Sequence, residues 1–301
     1  MRHAAEVPTF HDTVVFETSL ARIGAFRCDA DHAAFPQSDP IRNHCVWFSR
    51  TPVVIQPEHE RAFVANGHTA AFYNQTQCFR RVRVGAVGDY SDWFAIDETV
   101  ASQIIDARAP HILPRSHYPF PWSHVTVSAE TYLQQRQLFE AAAMGSRSDP
   151  LALEEGIVLL VDRVVIEAVT AEARSRSLVI RPRHRDLVHD TERLLSRTCD
   201  ASISLSALAR HVGSSVYHLC RVFRRITGAT MHQYRQQLRL RTALEAVTQR
   251  RATLTDIAVR VGFPSHSHFT KAFRREFGVL PSTLRRAVAQ QSQRASRARF
   301  V

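Results

Sequence analysis

The stretch GFPSHSHFTKAFRREFG, Gly262 to Gly278, concentrates groups that can do chemistry: His266 and His268 in a His-x-His pair, then Lys271, Arg274 and Arg275 among four phenylalanines. A His-x-His pair can begin a metal site, but a site needs further Cys, His or carboxylate ligands, and none stands beside these two to complete one. The alternatives lie on one helix. Its apolar residues hold it to a core, and its polar residues, His266, Ser267, Thr270, Lys271 and Arg274, offer hydrogen-bond donors to base edges and phosphates.

An internal repeat separates these readings. "LSALARHVGSSVYHLCRVFRRITG" and "LTDIAVRVGFPSHSHFTKAFRREFG" align with Leu205 over Leu254, Leu208 over Ile257, Ala209 over Ala258 and Gly213 over Gly262. After one extra residue, Ser215 stands over Ser265, His218 over His268, Phe223 over Phe273 and Gly228 over Gly278. The histidine at position 218 recurs without an H-x-H, which argues against metal. Each copy predicts a helix, a turn marked by glycine, and a second helix. Ser204 and Thr253 are placed to cap the first helices, Thr253 with Asp256 as a capping box, and Ser215 and Ser265 to cap the second. The buried stripes are then Leu219, Phe223 and Ile226 in the first copy, and Phe269, Phe273 and Phe277 in the second. Opposite the first stripe lie Val216, Tyr217, Cys220, Arg221 and Arg224. A long helix, about Met231 to Gln249, joins the copies and could set the spacing of about 34 Å at which two helices meet successive major-groove turns.

Charge follows the same division. From Asp186 onward 20 Arg and Lys face 7 Asp and Glu, whereas the preceding residues hold 19 against 21. A near-neutral part joined to one of strong positive excess implies a polyanionic partner, most often nucleic acid, with acidic protein surfaces and anionic lipids as the alternatives. The five cysteines (Cys28, Cys45, Cys78, Cys199, Cys220) are scattered and odd in number, as expected of reduced thiols and not of a disulfide framework. The longest apolar run, Gly156 to Val161, is too short to span a membrane, and the N-terminus lacks a signal-peptide pattern, so a cytoplasmic protein with no membrane partner is expected.

Residues from about His11 to Val127 predict short antiparallel strands forming a sandwich or barrel, with a type I′ hairpin turn at Asn66-Gly67. Two helices follow, within "SAETYLQQRQLFEAAAMG" and "SDPLALEEGIVLLVDRVVIEAVTAEARS". The stripe Ile157, Leu160, Val161, Val164 and Ala168 on the second is expected to pack within its own domain, with a homodimer interface as the alternative.

Asp186 to Arg286 resembles the DNA-binding domain of AraC/XylS-type transcriptional regulators. The residues that carry it are "LSALARHVGSS…L…F…TG", the "RLRTALEAV" joining helix, and "TDIAVRVGF.S.SHF.KAFRREFG..P" up to Pro281. The chain departs from the family pattern at Met231, where proline is frequent, and at Leu284-Arg285, where Tyr-Arg is usual. The resemblance implies that each unit's second helix enters the major groove, which makes Val216, Tyr217, Cys220 and Arg221, then His266, Ser267, Thr270 and Lys271, the base-facing candidates. It also implies a cupin-like N-terminal sensor. A metal-dependent cupin would offer an H-x-H, a Glu and a further His, a pattern that His59 and His68 do not reproduce, so neither metal nor cofactor is expected.

The expected fold is α+β: a β-rich cupin-like barrel with a helical segment, then an all-α double helix-turn-helix domain. The divisions are 1–127 for the sensor, 128–175 for a helical segment suited to dimerisation, 176–185 for a linker, 186–286 for the DNA-binding domain and 287–301 for a basic tail without regular structure. The function read from this is a sequence-specific transcription regulator, not an enzyme, with promoter DNA as partner and RNA polymerase and a small-molecule effector as further candidates. The competing class is enzymatic, either a cupin-type catalyst or a DNA-repair methyltransferase, the latter requiring an activated cysteine.

Overall fold

The structure, a computed structural model, describes residues 9–58, 60–112, 118–145, 149–176, 180–201, 203–249 and 252–297. They form two compact units. One comprises the chain up to Thr126 together with Pro150–Ala171; the other comprises Val127–Asp149 together with Glu172 onward.

Among its described residues the first unit contains nine strands: β1 Phe10–Glu17, β2 Ala21–Cys28, β3 Cys45–Ser49, β4 Val53–Pro57, β5 Phe63–Ala65, β6 Thr69–Tyr73, β7 Phe79–Arg83, β8 Asp89–Ile96 and β9 His124–Thr126. They make a six-stranded sheet in the order β1-β2-β8-β3-β6-β9 and a three-stranded sheet in the order β5-β4-β7, antiparallel throughout. Alternate residues of both sheets meet in one core, with Phe26, Trp47, Tyr73 and Trp93 from the larger and Val53, Ile55, Phe63 and Phe79 from the smaller. Trp47 pairs directly with Trp93 and Ala71, and its ring packs on Phe26, Tyr73 and Phe79. Among the described residues no strand pairing joins the two sheets into a closed barrel, so the architecture is an open double sheet.

One local expectation is corrected. Asn66-Gly67 does not make a type I′ hairpin. Neither residue has positive φ, and β5 and β6, on either side, belong to different sheets. The turn is instead closed by the Asn66 side chain, whose Oδ1 accepts the His68 N–H at 2.8 Å, and by the Thr69 N–H bonding to the Asn66 carbonyl at 2.9 Å. Strand β8 pairs with both β2 and β3 in the larger sheet, although its own sequence is hard to read as a strand. Its polar residues obscured it. Asp89 and Asp92 are buried, and each is held by an arginine from elsewhere in the unit, Arg81 Nε to Asp89 at 2.8 Å and Arg50 to Asp92 at 3.0 Å. Helix α1, Glu98–Arg108, capped by Asp97, was likewise unread.

Helix α2, Ala129–Ala143, belongs to the second unit, and most of α3, Pro150–Arg176, to the first. The apolar stripe of α3 expected from the sequence is fully covered, with Ile157, Leu160, Val161 and Val164 at 0% exposure.

The second unit continues with α4 Pro182–Arg197, α5 Leu205–His211, α6 Val216–Thr227, α7 Met231–Gln249, α8 Leu254–Arg260, α9 His266–Phe277 and α10 Pro281–Arg297. Helix α4 begins inside the segment expected to be a linker, with Pro182 in its first turn, where a missing N–H costs nothing; 177–179 lie outside the described residues. Helix α10 likewise carries regular structure through Arg297. The lack of an apolar period suggested otherwise, but Ala, Gln and Arg are good helix formers and prolong a helix that packing has started. Residues 298–301 lie outside the described residues.

Helix α2 packs on α7 and α9. Its Thr131, Tyr132, Gln135 and Arg136 are buried, and the buried Arg241 of α7 donates to the Val127 carbonyl at 2.8 Å while lying 5.2 Å from the centre of the Tyr132 ring.

Candidate nucleic-acid interface

The two helix-turn-helix copies close by the same hydrogen bonds. Ser204 Oγ accepts the Ala207 N–H at 3.1 Å, and Thr253 Oγ1 accepts the Asp256 N–H at 3.1 Å while the Asp256 carboxylate accepts the Thr253 N–H, completing the capping box. Both first helices end in a Schellman turn. Gly213 and Gly262 have φ of 61° and 79°; the next N–H, from Ser214 or Phe263, donates back to the carbonyl of Ala209 or Ala258 at 2.9 Å. Ser215 and Ser265 then cap α6 and α9 by accepting the N–H of His218 and His268, each at 3.3 Å. Gly228 and Gly278, left-handed, end them.

Packing divides each second helix into two faces. Leu219, Val222 and Phe223 of α6 are buried with Leu208, Ala209 and Tyr234, whereas Ile226 is only partly covered. Phe269, Ala272, Phe273 and Phe277 of α9 are buried, with the Phe269, Phe273 and Phe277 rings in successive edge and tilted contacts along it. The opposite faces are open. On α6, Val216, Tyr217, Arg221 and Arg224 are exposed, Tyr217 at 76%, and the Arg221 guanidinium lies 6.0 Å over the Tyr217 ring. On α9, His266, Ser267, Lys271 and Arg274 are exposed.

Two candidate residues lie off these faces. Cys220 is half-buried against the core of its unit, since it sits one residue from Leu219 on a helix whose apolar arc is wide. Thr270 is half-buried as well, with Oγ1 turned inward and, among the described residues, without a hydrogen-bond partner. Further cations flank the faces expected from the sequence. Arg225 and Arg275 are exposed beside the two faces, and Arg275 donates to Gln236 Oε1 on α7 at 3.1 Å. Arg239 of α7 donates to the carbonyls of Cys199 at 2.5 Å, Gly262 at 2.8 Å and Ala201 at 3.3 Å, joining the end of the α4 region to the turn of the second unit. A periodicity argument places Arg239 on a helix but cannot identify partners 23 and 40 residues away.

Three of the five cysteines sit where a thiolate is disfavoured. Burial pushes the Cys28 and Cys199 thiols above their ordinary range and Cys45 up to about 12, the opposite of an activated thiolate. Among the described residues no group of three His, Cys, Asp or Glu could hold a metal ion, and no helix is long and apolar enough to cross a membrane.

A family model for a helix-turn-helix domain matches residues 208–287. A segment of 83 residues is 31% identical to the probable transcription factor PqrA of Proteus vulgaris, covering 28% of this chain and 68% of that protein. A segment of 95 residues is 38% identical to the HTH-type transcriptional regulator GlxA of Rhizobium meliloti, covering 32% and 27%. Among solved structures, an AraC-type transcriptional regulator from Chromobacterium violaceum aligns at 26% identity and a TM-score of 0.33, over 35% of this chain and 95% of its own. Two capped, glycine-terminated helix-turn-helix units in the part of the chain that carries the positive charge, and the match of that same part to the family model and to PqrA, lead to one conclusion: the chain belongs to the AraC/XylS family of DNA-binding transcriptional regulators.

Proposed function

We propose that α6 and α9 read two adjacent major-groove segments of one operator, and that the double-sheet unit is a cupin-like regulatory module acting on them in the cytoplasm without catalysing a reaction. The observation that carries the reading half is the pair of exposed faces, Val216, Tyr217, Arg221 and Arg224 on α6 and His266, Ser267, Lys271 and Arg274 on α9, each backed by a buried stripe. Cys220 and Thr270 contribute to the helices' footing and little to readout. Arg221, stacked on Tyr217, has the donor fork for the O6/N7 edge of guanine. The α3 stripe is consumed inside the chain, so a homodimer through α3 would use its outward residues Leu159 and Ile166, which are 53% and 41% exposed.

Selection from random duplexes by the full chain tests this. One bipartite site with half-sites about one helical turn apart is expected. Arg221→Ala should lose about 1–3 kcal/mol on that site and relax choice at a single base pair. Enrichment of no site, or unchanged base preference in the variant, would refute the assignment.

A further inference from the structure

Beside the α9 reading face, the first half of α7, the turn at Gly262, Phe263 and Pro264, and one side of α9 line a cleft of about 440 Å³. Arg235, Arg239, Lys271 and Arg275 line it together with His232 and His268, and among the described residues no Asp or Glu does. Four permanent cations repel one another, a cost that the Asp200 carboxylate acting on Arg239 offsets only in part and that an anion entering the cleft would reverse. At Arg239 burial first, and then the neighbouring Arg235, lower the pKa against the opposing pull of Cys199 and Asp200.

The cations are not equally committed. Arg239 is spent on three backbone carbonyls, and Arg275 is steadied by Gln236. The half-buried Arg235 has one hydrogen bond among the described residues, a 3.5 Å contact to the Ala201 carbonyl. The Lys271 ammonium and the His232 and His268 rings make none among the described residues. Fixed guanidinium groups therefore shape the cleft, and uncommitted donors face into it. Lys271 belongs both to the cleft and to the exposed face of α9, so whatever lies on that face passes the opening. The helix α7 that walls the cleft is also the one that joins the two reading units.

We propose that the cleft is a phosphate site, occupied by a phosphodiester of the DNA strand that spans the spacer between the two half-sites. The inference rests on the reading of α6 and α9 proposed above and adds a contact to spacer DNA, where no base is read. Arg235 is the main donor, Lys271 the second, and the contact supplies affinity and register without sequence preference.

The test uses the full chain and its selected bipartite duplex, with each spacer phosphate on each strand replaced in turn by an uncharged methylphosphonate. Neutralising one linkage, or two adjacent ones, should weaken wild-type binding about tenfold. Arg235→Gln should weaken binding to the unmodified duplex similarly, lower the slope of log K against log salt by about one, keep the base preference, and lose nothing further at the sensitive linkage. Spacer linkages that are all silent for the wild type overturn the proposal, and that arm needs no variant to fold. Losses from Arg235→Gln and from methylphosphonate that multiply at every linkage overturn it too. Inorganic phosphate that binds in an Arg235-dependent way while the spacer linkages stay silent would make the cleft a site for a free anion, again against the proposal. Failure to select any bipartite duplex would defeat the functional reading itself, whereas tight bipartite binding with silent spacer phosphates would defeat only the cleft assignment.

Discussion

Glu192 of α4 carries a carboxyl that its surroundings disfavour as an anion. Burial pushes its pKa up to about 7, against the opposing pull of the Tyr234 hydroxyl, which donates to it. The folded protein thus holds a proton that the unfolded chain releases near pH 4–5, at about the ordinary value. The favourable state is complete below the unfolded pKa; stability falls as pH rises through the window up to about 7, and the loss is fully present above it. Glu192→Gln removes the titration while keeping an acceptor for Tyr234. It should stabilise the protein at pH 8 by on the order of 2 kcal/mol and do much less at pH 5, as read from urea unfolding at the two pH values. A difference that is the same at both would rule out Glu192 as the titrating group.

The two Schellman turns are the same element in two environments. At Gly213 a Cβ would meet nothing within 4 Å, so Gly213→Ala bears only the cost of a left-handed alanine, about 1 kcal/mol. At Gly262 the same Cβ would stand 2.8 Å from the Arg239 guanidinium carbon and 2.9 Å from the Asp200 carbonyl. Gly262→Ala should therefore cost about 2 kcal/mol or more and loosen the Arg239 bridge. Thermal melts of the two variants decide the matter, and equal losses would mean that the Arg239 contact yields without consequence. Both glycines were legible as turn signals. Their inequality was not, because it depends on an arginine brought from another helix.

At the scale of the whole molecule the chain is interleaved: it leaves the first unit after Thr126, gives Val127–Asp149 to the second, and returns for Pro150–Ala171. Helix α2 is therefore part of the DNA-binding unit, tied through Tyr132 and Val127 to Arg241, although the family match begins only at residue 208. A fragment starting at residue 182 would expose the surfaces of α7 and α9 that α2 covers. It should melt several degrees below a fragment in which residues 127–149 are joined to 172–301 by a glycine-rich linker. Identical melting temperatures would mean that α2 contributes nothing to that unit. Composition and periodicity found both mid-chain helices but read them as one segment, because apolar spacing shows that a helix has a buried face and not which unit covers it.

The sequence by itself determined the double helix-turn-helix domain, its caps, its glycine stops, its phenylalanine stripe and the polar faces opposite. All of these are local: a cap is three residues from its donor, and a helical stripe repeats every three or four. Only the tertiary structure decided what depends on distant partners. It put β8 into the larger sheet, because Asp89 and Asp92 become tolerable there only beside Arg81 and Arg50. It turned Asn66-Gly67 into a crossing between sheets, withdrew Cys220 and the Thr270 hydroxyl toward the core, and gathered Arg235, Arg239, Lys271 and Arg275 around one cleft. A charge's meaning is set by what it faces across space, and that information lies in the packing of segments that are far apart in the chain.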